Sequence, residues 1–125
     1  MGQHRTPLRY PGGKQRLAPF IDELLVANEC LNGHYVEPYA GGAGVAIELL
    51  LNDRVNRIHL NDSSVHIFSF WHSILCQTEK FCRHIFSASL TVDEWKRQRN
   101  IVQHPENHDE FEIGFSTFYL NRPLA

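Results

Sequence analysis

The chain has 125 residues, 42% of them hydrophobic and 21% charged, with a formal net charge of −2. That length suits one small domain with one core, and the composition excludes intrinsic disorder. It also excludes a membrane span, which needs roughly 20 apolar residues, a secretory leader and a strongly basic nucleic-acid binder.

Residues 1–16 hold Arg5, Arg9, Lys14 and Arg16 with no acid, a local field suited to a phosphate or carboxylate. Gly2 and Thr6 fit a loose myristoylation pattern, but Pro7 and the basic, glycine-rich context argue against it. Pro7 to Lys14 reads as a rigid loop in which Gly12-Gly13 allows a turn or a close approach. Leu17, Phe20, Ile21, Leu24 and Leu25 recur at helical spacing and predict one apolar helix face, stopped by Asn32-Gly33.

His34 to Glu37 predicts a short strand, and Val45 to Leu51 a helix, with a glycine-rich turn between them. Arg57 to Asn61 alternates and predicts a second strand, ending at Asp62. Strand, turn, helix and strand make one β-α-β unit with parallel strands. Beyond it the chain reads as helical. Ser64 caps a helix with Val65, Phe68 and His72 or Trp71 on its inner side. Thr91-Val-Asp-Glu94 fits a capping box for a helix through about Val102. Pro105 precedes a last helix carrying Phe111, Phe115, Phe118 and Tyr119, ended by Asn121-Arg122-Pro123.

Cys30, Cys76 and Cys82 are an odd, sparse set that fits a reducing cytoplasm. With no Cys-x-x-Cys pair, Cys76, Cys82, His72 and His84 read as helix-packed cysteines and partly exposed histidines rather than metal ligands.

The chemistry concentrates between Glu37 and Asp62. Gly41, Gly42 and Gly44 allow a tight turn and close approach to a ligand, and the following helix start offers N–H groups and positive dipole. Asp62 lies about 20 residues beyond, where an acid can hold ribose hydroxyls. No Gly-Lys-Ser/Thr follows the turn, the strict Gly-x-Gly-x-x-Gly is missing, and Glu37 would repel a pyrophosphate. An acid near the turn, a lysine nearby and an acid on the ribose match the amino group, carboxylate and ribose of S-adenosyl-L-methionine (SAM).

Pro-Leu-Arg-Tyr-Pro-Gly-Gly-Lys (7–14), Val-Glu-Pro-Tyr-Ala-Gly-Gly-Ala-Gly (36–44), Leu-Asn-Asp (60–62) and Phe-Tyr-Leu-Asn-Arg (118–122) resemble, in order, motifs of Dam-type DNA adenine methyltransferases. The resemblance implies an α/β, Rossmann-like methyltransferase fold whose N-terminal part binds SAM. It implies that Tyr10 and Lys14 touch the methionine end or adenosine wall, that Glu37, Tyr39, Ala40 and Gly41 form the turn, and that Asp62 holds the ribose. Arg122 becomes a candidate DNA-phosphate contact, while helical periodicity assigns Phe115, Phe118 and Tyr119 to a core face.

The family's Asp/Asn-Pro-Pro-Tyr/Phe signature, which accepts the hydrogens of the flipped adenine's amine, is absent: no two of the six prolines are adjacent. The chain therefore reads as the cofactor-binding N-terminal part of such an enzyme, without catalytic motif or target-recognition segment, in a phage or restriction-modification setting. A truncated, mostly parallel sheet of two or three strands would leave an edge bare. It predicts a marginal monomer and an intimate homodimer or complementing chain. The alternative is a catalytically dead SAM-binding or protein-interaction module from the same family.

Overall fold

The structure, a computed structural model, describes residues 5–10 and 13–122. Gly2, Gly12 of the loop and Pro123 of the last helix stop lie outside the described residues. The chain divides into two compact units, Met1–Asp62 and Ser63–Ala125. Among the described residues no helix is long and apolar enough to cross a membrane.

In the first unit a 3-10 turn over Gln15–Leu17 runs into α1 (Ala18–Ala27), followed by β1 (His34–Glu37), α2 (Gly44–Leu51) and β2 (Arg57–Leu60). Pro19 stands in the first turn of α1, where its missing N–H costs nothing. The strands are parallel, with His34 opposite Arg57 and Glu37 opposite Leu60. They form a two-stranded sheet, the lower of the strand numbers expected. Strand alternation sends Tyr35 and Ile58 toward α1 and α2, against a core of Ala18, Val45, Leu49 and Val55. Val36, on the opposite face, stays exposed.

The α1 stripe is narrower than the sequence suggests. Ala18, Ile21 and Leu25 pack on the core, whereas Leu17, Phe20 and Leu24 are exposed. Spacings of three and seven residues keep only the first three side chains on one side of the helix. The helix also stops well before Asn32-Gly33. Glu29 takes a left-handed φ of 55°. The Cys30 N–H then reaches the Leu25 carbonyl at 2.8 Å and the Glu29 N–H that of Val26 at 3.2 Å, the paired bonds of a Schellman cap. Asp53 and Arg54 end α2 the same way, through Leu50 and Leu49. Neither cap uses glycine, so neither left the usual sequence signal.

The second unit is helical: α3 (Val65–Cys76), α4 (Thr78–Ser87), α5 (Val92–Gln103), a 3-10 turn over Pro105–Asn107, and α6 (Glu110–Asn121). Ser64, Thr91 and Asp109 cap α3, α5 and α6, each side chain accepting a backbone N–H three residues on. The inner face of α3 carries Trp71, the alternative to His72, but otherwise differs from expectation. Ile67, Phe70 and Trp71 are buried, with Ser69 and Ser73, while Val65, Phe68 and His72 are exposed. His72 instead hydrogen-bonds Glu110 at the solvent edge. The chain from Thr78 to Ser87, assigned to no separate helix from sequence, forms α4 and contributes the fully buried Phe81. Phe81 packs edge-on against Phe70, Phe111, Phe115 and Phe118. The aromatic stripe of α6 is thus a core face. Cys30, Cys76 and Cys82 are exposed rather than packed within helices.

Small residues let α3 and α6 cross closely. A Cβ on Gly114 would stand 2.5 Å from the Ser69 carbonyl oxygen and 2.9 Å from the Ser73 hydroxyl. Gly114→Ala should therefore destabilise this unit by about 1–3 kcal/mol, although alanine is the better helix former. Both tryptophans, Trp71 and Trp95, lie in the unit. Urea unfolding followed by tryptophan fluorescence should show an earlier midpoint for the variant, and an unchanged midpoint would mean that the helices have room there.

Candidate functional site

The turn between β1 and α2 is closed by its own backbone. The Ala43 N–H meets the Ala40 carbonyl at 2.7 Å, and the Ala40 N–H meets the Asn61 carbonyl at 2.8 Å. Gly41 and Ala43 take left-handed φ values of 50° and 52°. Glycine accepts this conformation freely, whereas for Ala43 it costs on the order of 1 kcal/mol, offset by the surroundings that bury it.

Two carboxylates fasten the turn. Glu37, at the end of β1 and only 7% exposed, accepts the Ala46 N–H on Oε1 at 3.0 Å. Ala46 is the third residue of α2, so Glu37 caps a helix whose own N-cap, Ala43, has no side chain able to do so. Asp62 accepts the Gly41 N–H on Oδ2 at 3.0 Å. The sequence reading left these turn and helix-start amides to a ligand. The structure gives these two to the protein's own acids.

Tyr35, two residues before Glu37 and on the same side of the strand, interacts electrostatically with the Glu37 carboxylate. Burial, with Glu37 nearby, pushes the Tyr35 phenol up to about 12. Burial likewise raises Glu37, opposed by the Ala46 hydrogen bond, the Lys14 charge and Tyr35. Strand alternation was the available signal for Tyr35, since residues i and i+2 share a face.

The segment before the turn lies directly on it. Leu8 is 1% exposed, and the Thr6 hydroxyl donates to the Gly42 carbonyl at 2.5 Å. A Cβ on Gly42 would stand 2.7 Å from the Leu8 carbonyl oxygen, one on Gly41 2.9 Å from the Tyr10 ring, and one on Gly44 2.9 Å from Gln15. The close approach that these glycines permit is therefore to the chain's own N-terminal segment. Sequence reasoning assigned that approach to a ligand and passed over Thr6, Leu8 and Gln15.

Segment and turn together enclose one open cleft of about 1380 Å³. Tyr10, Lys14, Glu37, Tyr39, Ala40 and Gly41 all line it, as do the basic Arg5, Arg9 and Arg16. Tyr10 and Tyr39 remain substantially exposed. Asp62 is not among the lining residues and meets the cleft through Gly41. Arg122 belongs to the other unit, its guanidinium 4.7 Å from the centre of the Phe118 ring. Among the described residues no three His, Cys, Asp or Glu side chains gather as a metal site.

A family model described as D12 class N6 adenine-specific DNA methyltransferase matches residues 10–124. No curated protein and no solved structure matches the chain.

Glu37 separates charge from hydrogen bonding. Glu37→Ala leaves the Ala46 N–H without its acceptor and should cost about 1–3 kcal/mol. Glu37→Gln keeps an acceptor oxygen and removes the buried charge. Because burial raises the folded-state pKa, the folded protein binds this proton more readily than the unfolded chain, and the ionised group opposes folding at neutral pH. Glu37→Gln should thus be at least as stable as wild type at pH 7. Its advantage should shrink as pH falls through the raised pKa and vanish below the ordinary glutamate value of about 4.3. Urea unfolding of the three proteins between pH 4 and pH 7 tests this, and a Gln variant as unstable as the Ala variant would contradict it.

Proposed function

This chain belongs to the D12 class N6 adenine-specific DNA methyltransferase family, and we propose that its first unit is the SAM-binding part of a Rossmann-like methyltransferase acting on adenine in DNA. One observation carries the reading. Six residues picked out as cofactor contacts from separated motifs line a single cleft beyond the carboxyl end of a parallel strand. Open α/β sheets bind their ligands at that position.

The donor set fits the cofactor's groups. Lys14 supplies a cation for the methionine carboxylate, backed by Arg5, Arg9 and Arg16 at the same cleft. Glu37 supplies negative potential for the ammonium. Its hydrogen bond to the Ala46 N–H leaves acceptor capacity, since a carboxylate has about four lone-pair sites. Tyr10 and Tyr39 offer exposed ring faces for the adenosine. Asp62, the candidate ribose acid by its place in the motif, acts on the cleft through Gly41, whose N–H it holds. SAM, when bound, supplies the methyl group on its sulfonium. Arg122 adds a phosphate contact from the helical unit.

The adenine amine is a poor nucleophile because its lone pair is delocalised into the ring, and it needs acceptors for its hydrogens. These 125 residues hold no Asp/Asn-Pro-Pro-Tyr/Phe to provide them. Methylation accordingly requires acceptors from outside these 125 residues, whether from a further segment or from a complementing chain. A second reading, an interaction module without chemistry, draws on Phe86 and Leu90, which are 92% and 80% exposed.

Calorimetric titration of SAM into the folded chain tests the proposal. The wild type should bind, Lys14→Ala should bind roughly tenfold or more weakly, equivalent to about 1.4 kcal/mol, and Asp62→Ala should lose most of the affinity. A folded wild type that takes up no SAM would overturn the cofactor reading and favour the interaction module.

A further inference from the structure

We propose that Thr6, which precedes the motif-bearing residues, is a positioning residue: its hydroxyl latches the N-terminal segment onto the glycine turn and so sets where Tyr10 and Lys14 stand in the cleft. The inference deepens the cofactor-binding reading and rests on it.

Thr6 sits at the junction of two backbones. Its Oγ1 donates to the Gly42 carbonyl at 2.5 Å and accepts the Leu8 N–H at 3.2 Å. One hydroxyl proton and one lone pair thereby join the turn to the segment, in the manner of a Ser/Thr turn. Arg5 reinforces the start of the segment from the far end of α2, donating from Nη1 to Asn52 Oδ1 at 3.0 Å, with Glu48 3.7 Å from its Nε. Immediately beyond the latch Leu8 is buried, and the Leu8 carbonyl fills the space that a Gly42 side chain would need.

Beyond Leu8 the described residues show no comparably buried anchor until Ala18. Arg9, Tyr10, Gly13, Lys14, Arg16 and Leu17 are all exposed, with Gln15 intermediate. The two groups proposed to touch SAM therefore project from a stretch held at its root by Thr6 and at its far end by the start of α1. A long cationic side chain such as Lys14 has ample rotamer freedom, so the position of its backbone decides whether its charge reaches the cleft. Thr6 is itself part of the cleft wall, but its hydroxyl is engaged by two backbones, and such a latch can act on affinity by setting the fraction of molecules with the segment docked.

Thr6→Val keeps the shape and β-branching and deletes the donor and acceptor, whereas Thr6→Ser restores both. Ile58→Val is the control, because Ile58 packs on the core of the same unit and does not line the cleft. Two readouts are needed: the Kd for S-adenosylhomocysteine by calorimetry, and the rate of tryptic cleavage after Arg9 and Lys14. Thr6→Val should raise both roughly fivefold, the equivalent of one net hydrogen bond. Thr6→Ser should return both to wild type, and Ile58→Val should leave both unchanged while lowering the unfolding midpoint. Wild-type Kd in Thr6→Val, with or without faster cleavage, would overturn the positioning role alone. The same holds if Ile58→Val weakens binding as much. Absence of binding in the folded wild type would overturn the cofactor reading, and the positioning role with it.

Discussion

The bond from the Glu37 carboxylate to the Ala46 N–H joins the last residue of β1 to the first turn of α2. A β-α connection has to turn sharply, and the helix it enters begins with unpaired N–H groups. Here Ala43 occupies the N-cap position with a methyl group. The acid that satisfies the helix comes from the strand, across the turn. Its negative charge stands near the positive end of the helix dipole, which favours the ionised form, while burial opposes it. The turn can then hold Gly41 and Ala43 in left-handed conformations because both of its ends are fixed.

From that constraint the rest of the cleft follows. With the turn held, Gly41, Gly42 and Gly44 present a surface without side chains, and the N-terminal segment lies on it in van der Waals contact. The segment brings its cations with it, so a wall of positive charge faces an acid-bearing turn. Neither part forms this cleft alone. The acids Glu37 and Asp62 have structural work in the turn itself, so a loss of binding in their variants has to be separated from a loss of the turn. The amide substitution at Glu37, which keeps an acceptor, makes that separation.

The helical unit obeys a different rule. Its core is aromatic, centred on Phe81 and Phe70, and small residues let α3 and α6 approach. A buried polar pair is fully matched there. The Gln98 amide donates to Glu94 at 2.8 Å and accepts the Ser116 hydroxyl at 2.6 Å. Glu94 in turn holds Arg97 in a two-pronged pair, which pulls the Glu94 carboxyl below its usual range. The capping box expected at Thr91 is therefore half used: Thr91 accepts the Glu94 N–H, and the Glu94 side chain is engaged with Arg97 and Gln98.

What the sequence determined by itself was local. Alternation placed β2, the strand-turn-helix order placed β1, helical periodicity found α6 and its aromatic core face, the side chains of Ser64 and Thr91 marked helix starts, and motif order pointed to the family that residues 10–124 match. Each of these signals lives within a few residues of its cause. Tertiary structure decided which of the apolar residues of α1 were buried, how α1 and α2 ended without glycine, and which partner each turn group took. The glycines illustrate the difference. Sequence shows only that a close approach to Gly42 is allowed, because a glycine leaves that space empty. Only the folded chain shows that the Leu8 carbonyl, thirty-odd residues away in sequence, is what comes close. Contacts between distant segments depend on how whole elements pack, and no window of neighbouring residues encodes that.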